Sequence, residues 1–129
     1  FILLLAVFLL GFVPQYRAAA EARRQLAEAR AKLAAGERRM DLAQLRDLIA
    51  LAYLEVSQKN YGLAAQRSTA FFDKVAELAA SQSDSGASNT LKQILVARDG
   101  VTAALAAGDP AAAAEIQRLF RATFDATGQ

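Results

Sequence analysis

The 129-residue chain is predicted to be all-α: a single N-terminal membrane-spanning helix, a basic juxtamembrane helix, then a small antiparallel bundle of two helical hairpins. Three observations predict this. Alanine makes up roughly a quarter of the chain and hydrophobic residues 54%, and alanine has the best helix propensity of any residue. The first thirteen residues, FILLLAVFLLGFV, contain no charged or polar side chain. Beyond them apolar residues recur at spacings of three and four, and no stretch alternates as a strand would.

The apolar stretch comes first. At about 1.5 Å per residue a thirteen-residue helix reaches roughly 20 Å, against a hydrocarbon core of about 30 Å. Because the chain starts at Phe1 rather than Met, the stretch is expected to continue upstream. Phe12, Pro14, Tyr16 and Arg17 follow the pattern of a helix meeting lipid headgroups, with aromatics at the interface and a cation that can snorkel. A cleaved signal peptide, with Ala18 to Ala20 as its small-residue site, is one competing reading. A buried core helix is another, but a helix apolar all round needs partners on every side. A helix lying flat in the interface needs a strongly polar face, which this segment lacks. Residues 1–14 are therefore expected to be a transmembrane anchor.

Charge placement orients it. The net charge is only +2, from 15 basic and 13 acidic residues. Between Arg17 and Arg39, however, seven basic residues (Arg17, Arg23, Arg24, Arg30, Lys32, Arg38, Arg39) face three acidic ones (Glu21, Glu28, Glu37), a local balance of +4. The rest of the chain is mildly acidic. A basic flank on one side of a span favours the cytoplasm for that side. Phe12, Tyr16, Arg17, Arg23 and Arg24 are the expected membrane-interface residues, with anionic headgroups as partners worth about 1 kcal/mol per basic residue near the surface. With little aromatic interleaving, the basic run is not read as a nucleic-acid patch.

The juxtamembrane segment, residues 15–36, has no helix breaker and is rich in Ala, Arg, Glu and Leu. Ala19, Leu26, Leu33 and Met40 fall seven apart, and Ala22, Ala29 and Gly36 fall three residues after the first three. That is an a/d seam about three heptads long. It reads either as a coiled-coil stalk pairing through Ala19, Leu26 and Leu33 or as one amphipathic helix folded on its own domain. Glu21 with Arg24 and Glu28 with Lys32 are spaced to support the exposed face.

Residues 41–128 read as a four-helix domain. Gly36 is expected to cap the preceding helix, and Asp41 with Gln44 matches a capping box. Leu42, Leu45, Leu48, Ile49, Ala52 and Val56 form the apolar stripe of the next helix, and Leu51 and Leu54 widen it toward burial on two sides. After a break at Lys59 and Asn60, the second helix carries Leu63, Ala64, Ser68, Phe71, Phe72, Val75 and Leu78. SQSDSGASN, residues 81–89, has loop composition, and Ser88 or Asn89 can cap a third helix bearing Leu91, Ile94, Leu95, Val101 and Leu105. Gly108-Asp109-Pro110 combines a C-cap glycine, an N-cap aspartate and a proline at the first helical position. The last helix carries Ala113, Ile116, Leu119, Phe120 and Phe124 and fades at Gly128.

The two turns invite comparison. Lys59-Asn60-Tyr61 followed by Ala64 aligns with Gly108-Asp109-Pro110 followed by Ala113, at an offset of 49 residues. With Leu51, Ala52, Tyr61 and Ala64 where small and aromatic packing residues are placed, residues 41–128 resemble tetratricopeptide-like helical hairpins. The second copy keeps mainly Gly108, Asp109 and Ala113, Gly100 and Val101 depart from the pattern, and the family period is 34 residues. The resemblance implies a peptide- or protein-binding helical scaffold. The plain alternative is an antiparallel four-helix bundle.

Catalytic chemistry has few residues to work with. The chain contains no Cys and no His, which removes thiol nucleophiles, zinc knuckles, Glu-x-x-His di-iron pairs and the commonest general base. Asp47, Glu55, Asp73, Glu77 and Asp99 are scattered beside basic residues and read as solvated surface. No phosphate loop or dinucleotide fingerprint is present. No cofactor, metal site or catalytic residue is therefore expected, and no enzyme activity. Tyr53, Tyr61, Phe71 and Phe72 form an aromatic cluster around the first hairpin, a candidate partner contact or core at helical spacing. The expected function is that of an accessory, scaffold or assembly subunit of a larger membrane complex; the second is an independent membrane-tethered peptide-binding adaptor.

Overall fold

A computed structural model describes residues 1–81 and 85–128, apart from the side chains of Phe12, Val13 and Ser85. The chain is all-α: about 91% of the described residues are helical and none of them is in a strand. The helices are α1 (Ile2–Ser57), α2 (Tyr61–Ser81), α3 (Ser85–Val96), α4 (Arg98–Ala106) and α5 (Ala111–Ala126). Two units divide the chain, Phe1–Arg39 and Met40–Gln129.

Helix α1 corrects one expected boundary. It runs without interruption through Gly36 and Asp41, so neither the glycine cap nor the capping box exists. Gly36 keeps an ordinary helical backbone, and the surrounding Ala, Arg and Leu have enough propensity to carry one unfavourable glycine. Asp41, freed from capping, pairs with Lys74 of α2 instead.

The core of the second unit is a single cluster drawn from all five helices. Leu45, Ile49, Ala52 and Val56 supply it from α1 at spacings of four, three and four, one face of a 3.6-residue helix. From α2 come Ala64, Phe71, Phe72, Val75, Leu78 and Ala79. Leu91 and Ile94 enter from α3, Val101 and Leu105 from α4, and Ala112, Ile116 and Leu119 from α5. Burying each large side chain in such a cluster stabilises by about 1.5–3 kcal/mol before the entropy of ordering is charged. Leu51 and Leu54 stay out of it at 37% and 50% exposure, so α1 is buried on one side here and not two.

Contacts between the helices close on themselves. Helix α2 packs on α3 and α4, and both of these pack on α5. Helix α5 returns to α1 through Arg46 with Thr127 and Tyr53 with Phe120.

The turns explain themselves locally. After α1, Lys59 takes a left-handed φ of 61°, with its N–H donating to Val56 O (3.0 Å) and that of Asn60 to Glu55 O (2.9 Å). After α4, Gly108 takes a φ of 64°, and the matching bonds run from Gly108 to Leu105 (3.1 Å) and from Asp109 to Ala104 (2.9 Å). Both are Schellman closures, which satisfy carbonyls orphaned at a helix end. Helix α5 starts one residue later than the turn signal predicts: Pro110, at φ −56°, is its N-cap and Ala111 its first residue, while Asp109 Oδ1 accepts from Ala111 N–H at 2.8 Å from just outside the helix.

Two further expectations are corrected between them. Ser81 ends α2 and Ser85–Asn89 open α3, so the loop expected at 81–89 is helical at both sides; residues 82–84 lie outside the described ones. Ser88 is buried in α3 rather than capping it, and its hydroxyl donates to Ala79 O of α2 at 3.2 Å. The single helix expected over residues 91–105 is broken at Ala97, whose N–H turns to Ile94 O (3.2 Å), giving α3 and α4.

Candidate functional site

The surface with the clearest unmet physical demand is the N-terminal part of α1. An 18-residue window there has a mean hydropathy of 1.8, and none of it is buried. At about 1.5 Å per residue that window is roughly 27 Å long, close to a hydrocarbon core. It is the one helix, among the described residues, long and apolar enough to cross a membrane by length and composition. Ile2, Leu3, Leu4, Leu5, Val7, Leu9 and Leu10 are all exposed. Contiguous exposed apolar surface of this kind marks a place where lipid or another protein covers a chain.

At the lower end of this stretch, Leu9, Leu10, Pro14 and Arg17 line one shallow depression along the helix. Arg17 thus has apolar neighbours one turn and two turns before it, and a long side chain at such a place can snorkel. Tyr16 is exposed beside it. The side chain of Phe12 lies outside the described residues. The three arginines expected to meet headgroups do not share one face. Arg17 and Arg24 line a second depression with Ala20, Glu21, Gln25 and Glu28, so acids alternate with them. Arg23 is exposed and, at 100° per residue, is turned about a third of a circle away.

The heptad seam is exposed along its length. Leu26, Leu33 and Met40 are 52%, 65% and 74% exposed. Of the two expected charge pairs, Glu28 and Lys32 meet at 3.0 Å.

The aromatic residues expected as one cluster separate into three environments. Phe71 and Phe72 meet edge to face, centroids 5.2 Å apart, and both are 0% exposed. Neither can touch a partner while the domain is folded, which corrects their place among the candidate contacts. Tyr61 packs beside the second turn, where a Cβ on Gly108 would lie 3.8 Å from its ring. Tyr53 belongs with Phe120, at 5.7 Å, and Phe120 stacks on Phe124 at 4.5 Å. Arg46 completes this group, its guanidinium carbon 5.5 Å from the Phe124 centroid, and its nitrogens donate to the Thr127 hydroxyl (2.6 Å) and carbonyl. Sequence reading missed this corner because its members are up to 81 residues apart.

Four acidic side chains of the second unit pair with cations. Lys74 Nζ lies 2.8 Å from Asp41 and 3.3 Å from Glu77, and its pKa is raised, chiefly by the hydrogen bond to Asp41. Asp73 pairs with Arg98 at 2.8 Å and Glu115 with Arg118 at 3.0 Å. No group of three or more potential metal ligands gathers among the described residues. Comparison with protein-family models, with curated proteins and with solved structures finds no match for this chain.

Proposed function

We propose that this chain is a non-catalytic, single-pass membrane protein acting through protein contacts, as an accessory, scaffold or assembly subunit of a larger membrane complex. The observation that carries the reading is the apolar, wholly unburied window of α1, which needs lipid or other spans to cover it. The basic flank beneath it supports a cytoplasmic location for the helical domain, by the positive-inside bias. Arg17, Arg23 and Arg24, with Tyr16 and Phe12, are the proposed headgroup contacts. The domain itself is proposed to be a small antiparallel bundle that presents its surface to neighbouring subunits.

A second reading, a membrane-tethered adaptor of the tetratricopeptide kind, needs an open apolar groove between the hairpins. Burial of Phe71 and Phe72 favours the first reading, because the aromatic residues that would line such a groove are in the core. Gentle detergent extraction from native membranes, followed by affinity capture and mass spectrometry, tests the proposal. Stoichiometric co-purifying membrane subunits are expected; a chain recovered alone overturns it. Protease protection in sealed vesicles tests the orientation, with digestion of the helical domain expected only from the cytoplasmic side.

A further inference from the structure

We propose that two copies of this chain pair in parallel through the seam Ala19, Ala22, Leu26, Ala29, Leu33, Gly36 and Met40. The inference rests on the membrane reading above, because two copies anchored in one bilayer in the same direction can align only in parallel. It adds what that reading leaves open, the identity of one partner.

Several observations select a second copy. The seam is a heptad pattern, and its large members Leu26, Leu33 and Met40 are exposed among the described residues. Its phase also ends where the domain begins: seven residues past Met40 lies Asp47, which is exposed, whereas the buried stripe starts at Leu45. The seam is therefore a separate pattern from the one that builds the core. Gly36 is a second, independent sign. Glycine inside a helix costs about 1 kcal/mol relative to alanine. Here it has neither a left-handed φ nor any atom within 4 Å of where a Cβ would be. At a seam position a residue without a side chain lets two backbones approach closely, as small residues do between paired helices.

Charges flanking the seam fit self-pairing. With Ala19 at position a, the g positions include Ala18, Gln25 and Lys32, and the e positions include Arg23, Arg30 and Glu37. In a parallel pair each g residue faces the e residue five places on in the other copy. Ala18 then meets Arg23, Gln25 meets Arg30, and Lys32 meets Glu37, with no like charges opposed and the last pair attractive. Lys32 is held by Glu28 of its own helix, yet both side chains are mostly exposed, and an ammonium has three donors to share. Three heptads with alanine and glycine at d would pair weakly if free in water. Confinement to one membrane raises the effective concentration of one helix at another, which offsets that weakness.

Because the chain has no cysteine, single-cysteine variants of the full chain in lipid vesicles give a direct test. Ala19→Cys, Leu26→Cys and Leu33→Cys should form about tenfold more dimer with a short bis-maleimide linker than Ala27→Cys and Ala31→Cys, whose positions face outward in a heptad pair. Uniform crosslinking, or none at the seam, overturns the proposal. Lys32→Glu should weaken the Leu33→Cys crosslink and adding Glu37→Lys should restore it; failure to restore overturns the parallel register. Seam crosslinks with no co-purifying subunit would sink the assembly-subunit reading alone, and co-purifying subunits with no seam crosslink would sink the pairing alone.

Discussion

Lys59 and Gly108 hold the same left-handed conformation, φ 61° and 64°, at the same place in two Schellman closures. The same backbone demand is met by a residue suited to it in one turn and by an unsuited one in the other. A side chain in this conformation costs roughly 1–2 kcal/mol that glycine avoids. Lys59→Gly should therefore raise stability by about 0.5–1 kcal/mol, and Gly108→Ala should lower it by about 1 kcal/mol. A Cβ at Gly108 would be in ordinary contact with Tyr61, so the loss is conformational and not a clash. Urea unfolding of the chain in detergent, read by circular dichroism, measures both. A destabilising Lys59→Gly would contradict the account.

The ion pair of Asp41 with Lys74 makes an alkaline prediction. The lysine's pKa is raised, with the Asp41 carboxylate as its main cause and burial working against it. A pKa higher in the folded than in the unfolded state stabilises fully below the unfolded value, about 10.4, and the contribution is lost as pH rises through the folded value. Asp41→Asn should cost under about 1 kcal/mol at neutral pH, the usual scale for a partly exposed pair. The gap between wild type and variant should stay flat through neutral pH and close above about pH 10.4. A gap that widened with alkali would have the wrong sign.

Thr123 is fully buried and its hydroxyl has no hydrogen-bond partner among the described residues, while its carbonyl accepts from the Thr127 hydroxyl at 2.6 Å. An unpaired buried hydroxyl costs about 1–3 kcal/mol. Thr123→Val keeps the branched shape, leaves the carbonyl bond intact and should stabilise by about 1 kcal/mol. Ser68→Ala, at a second buried hydroxyl without a partner among the described residues, should act in the same direction. Thermal melts of the single and double variants check additivity.

Arg46 ties the end of α5 to α1 by two hydrogen bonds and a cation–π contact with Phe124. Arg46→Lys keeps the charge but loses the planar fork, so most of the stabilisation should go, about 1–2 kcal/mol. Hydrogen exchange should show faster opening in the last turn of α5 than in α2. Equal acceleration in both helices would mean that Arg46 supports the whole domain and not this end.

Local chemistry was readable in advance and distant chemistry was not. The Gly108 closure and the Asp109 bond to Ala111 N–H depend on neighbours within four residues, so their signals sit together in the sequence, with the helix start displaced by one residue to Ala111. The core stripe Leu45, Ile49, Ala52 and Val56 was visible as a period. Gly36 and Asp41 misled because a glycine and a capping pattern mark a boundary only when flanking residues stop favouring helix, and here they do not. The loop expected at 81–89 misled because serine and glycine composition does not reveal that Ser88 finds a buried acceptor on α2.

By itself the sequence determined the helical class, the apolar N-terminal stretch, the basic flank and the heptad seam, since each is a property of composition or short-range spacing. Only the tertiary structure decided which apolar residues are inside. Leu51, Leu54, Phe71 and Phe72 are equally hydrophobic on paper, yet the first two are exposed and the last two sealed, because burial depends on where other helices lie. It also placed Arg46 on Thr127 and Phe124, a contact between residues far apart in the chain that no local pattern encodes.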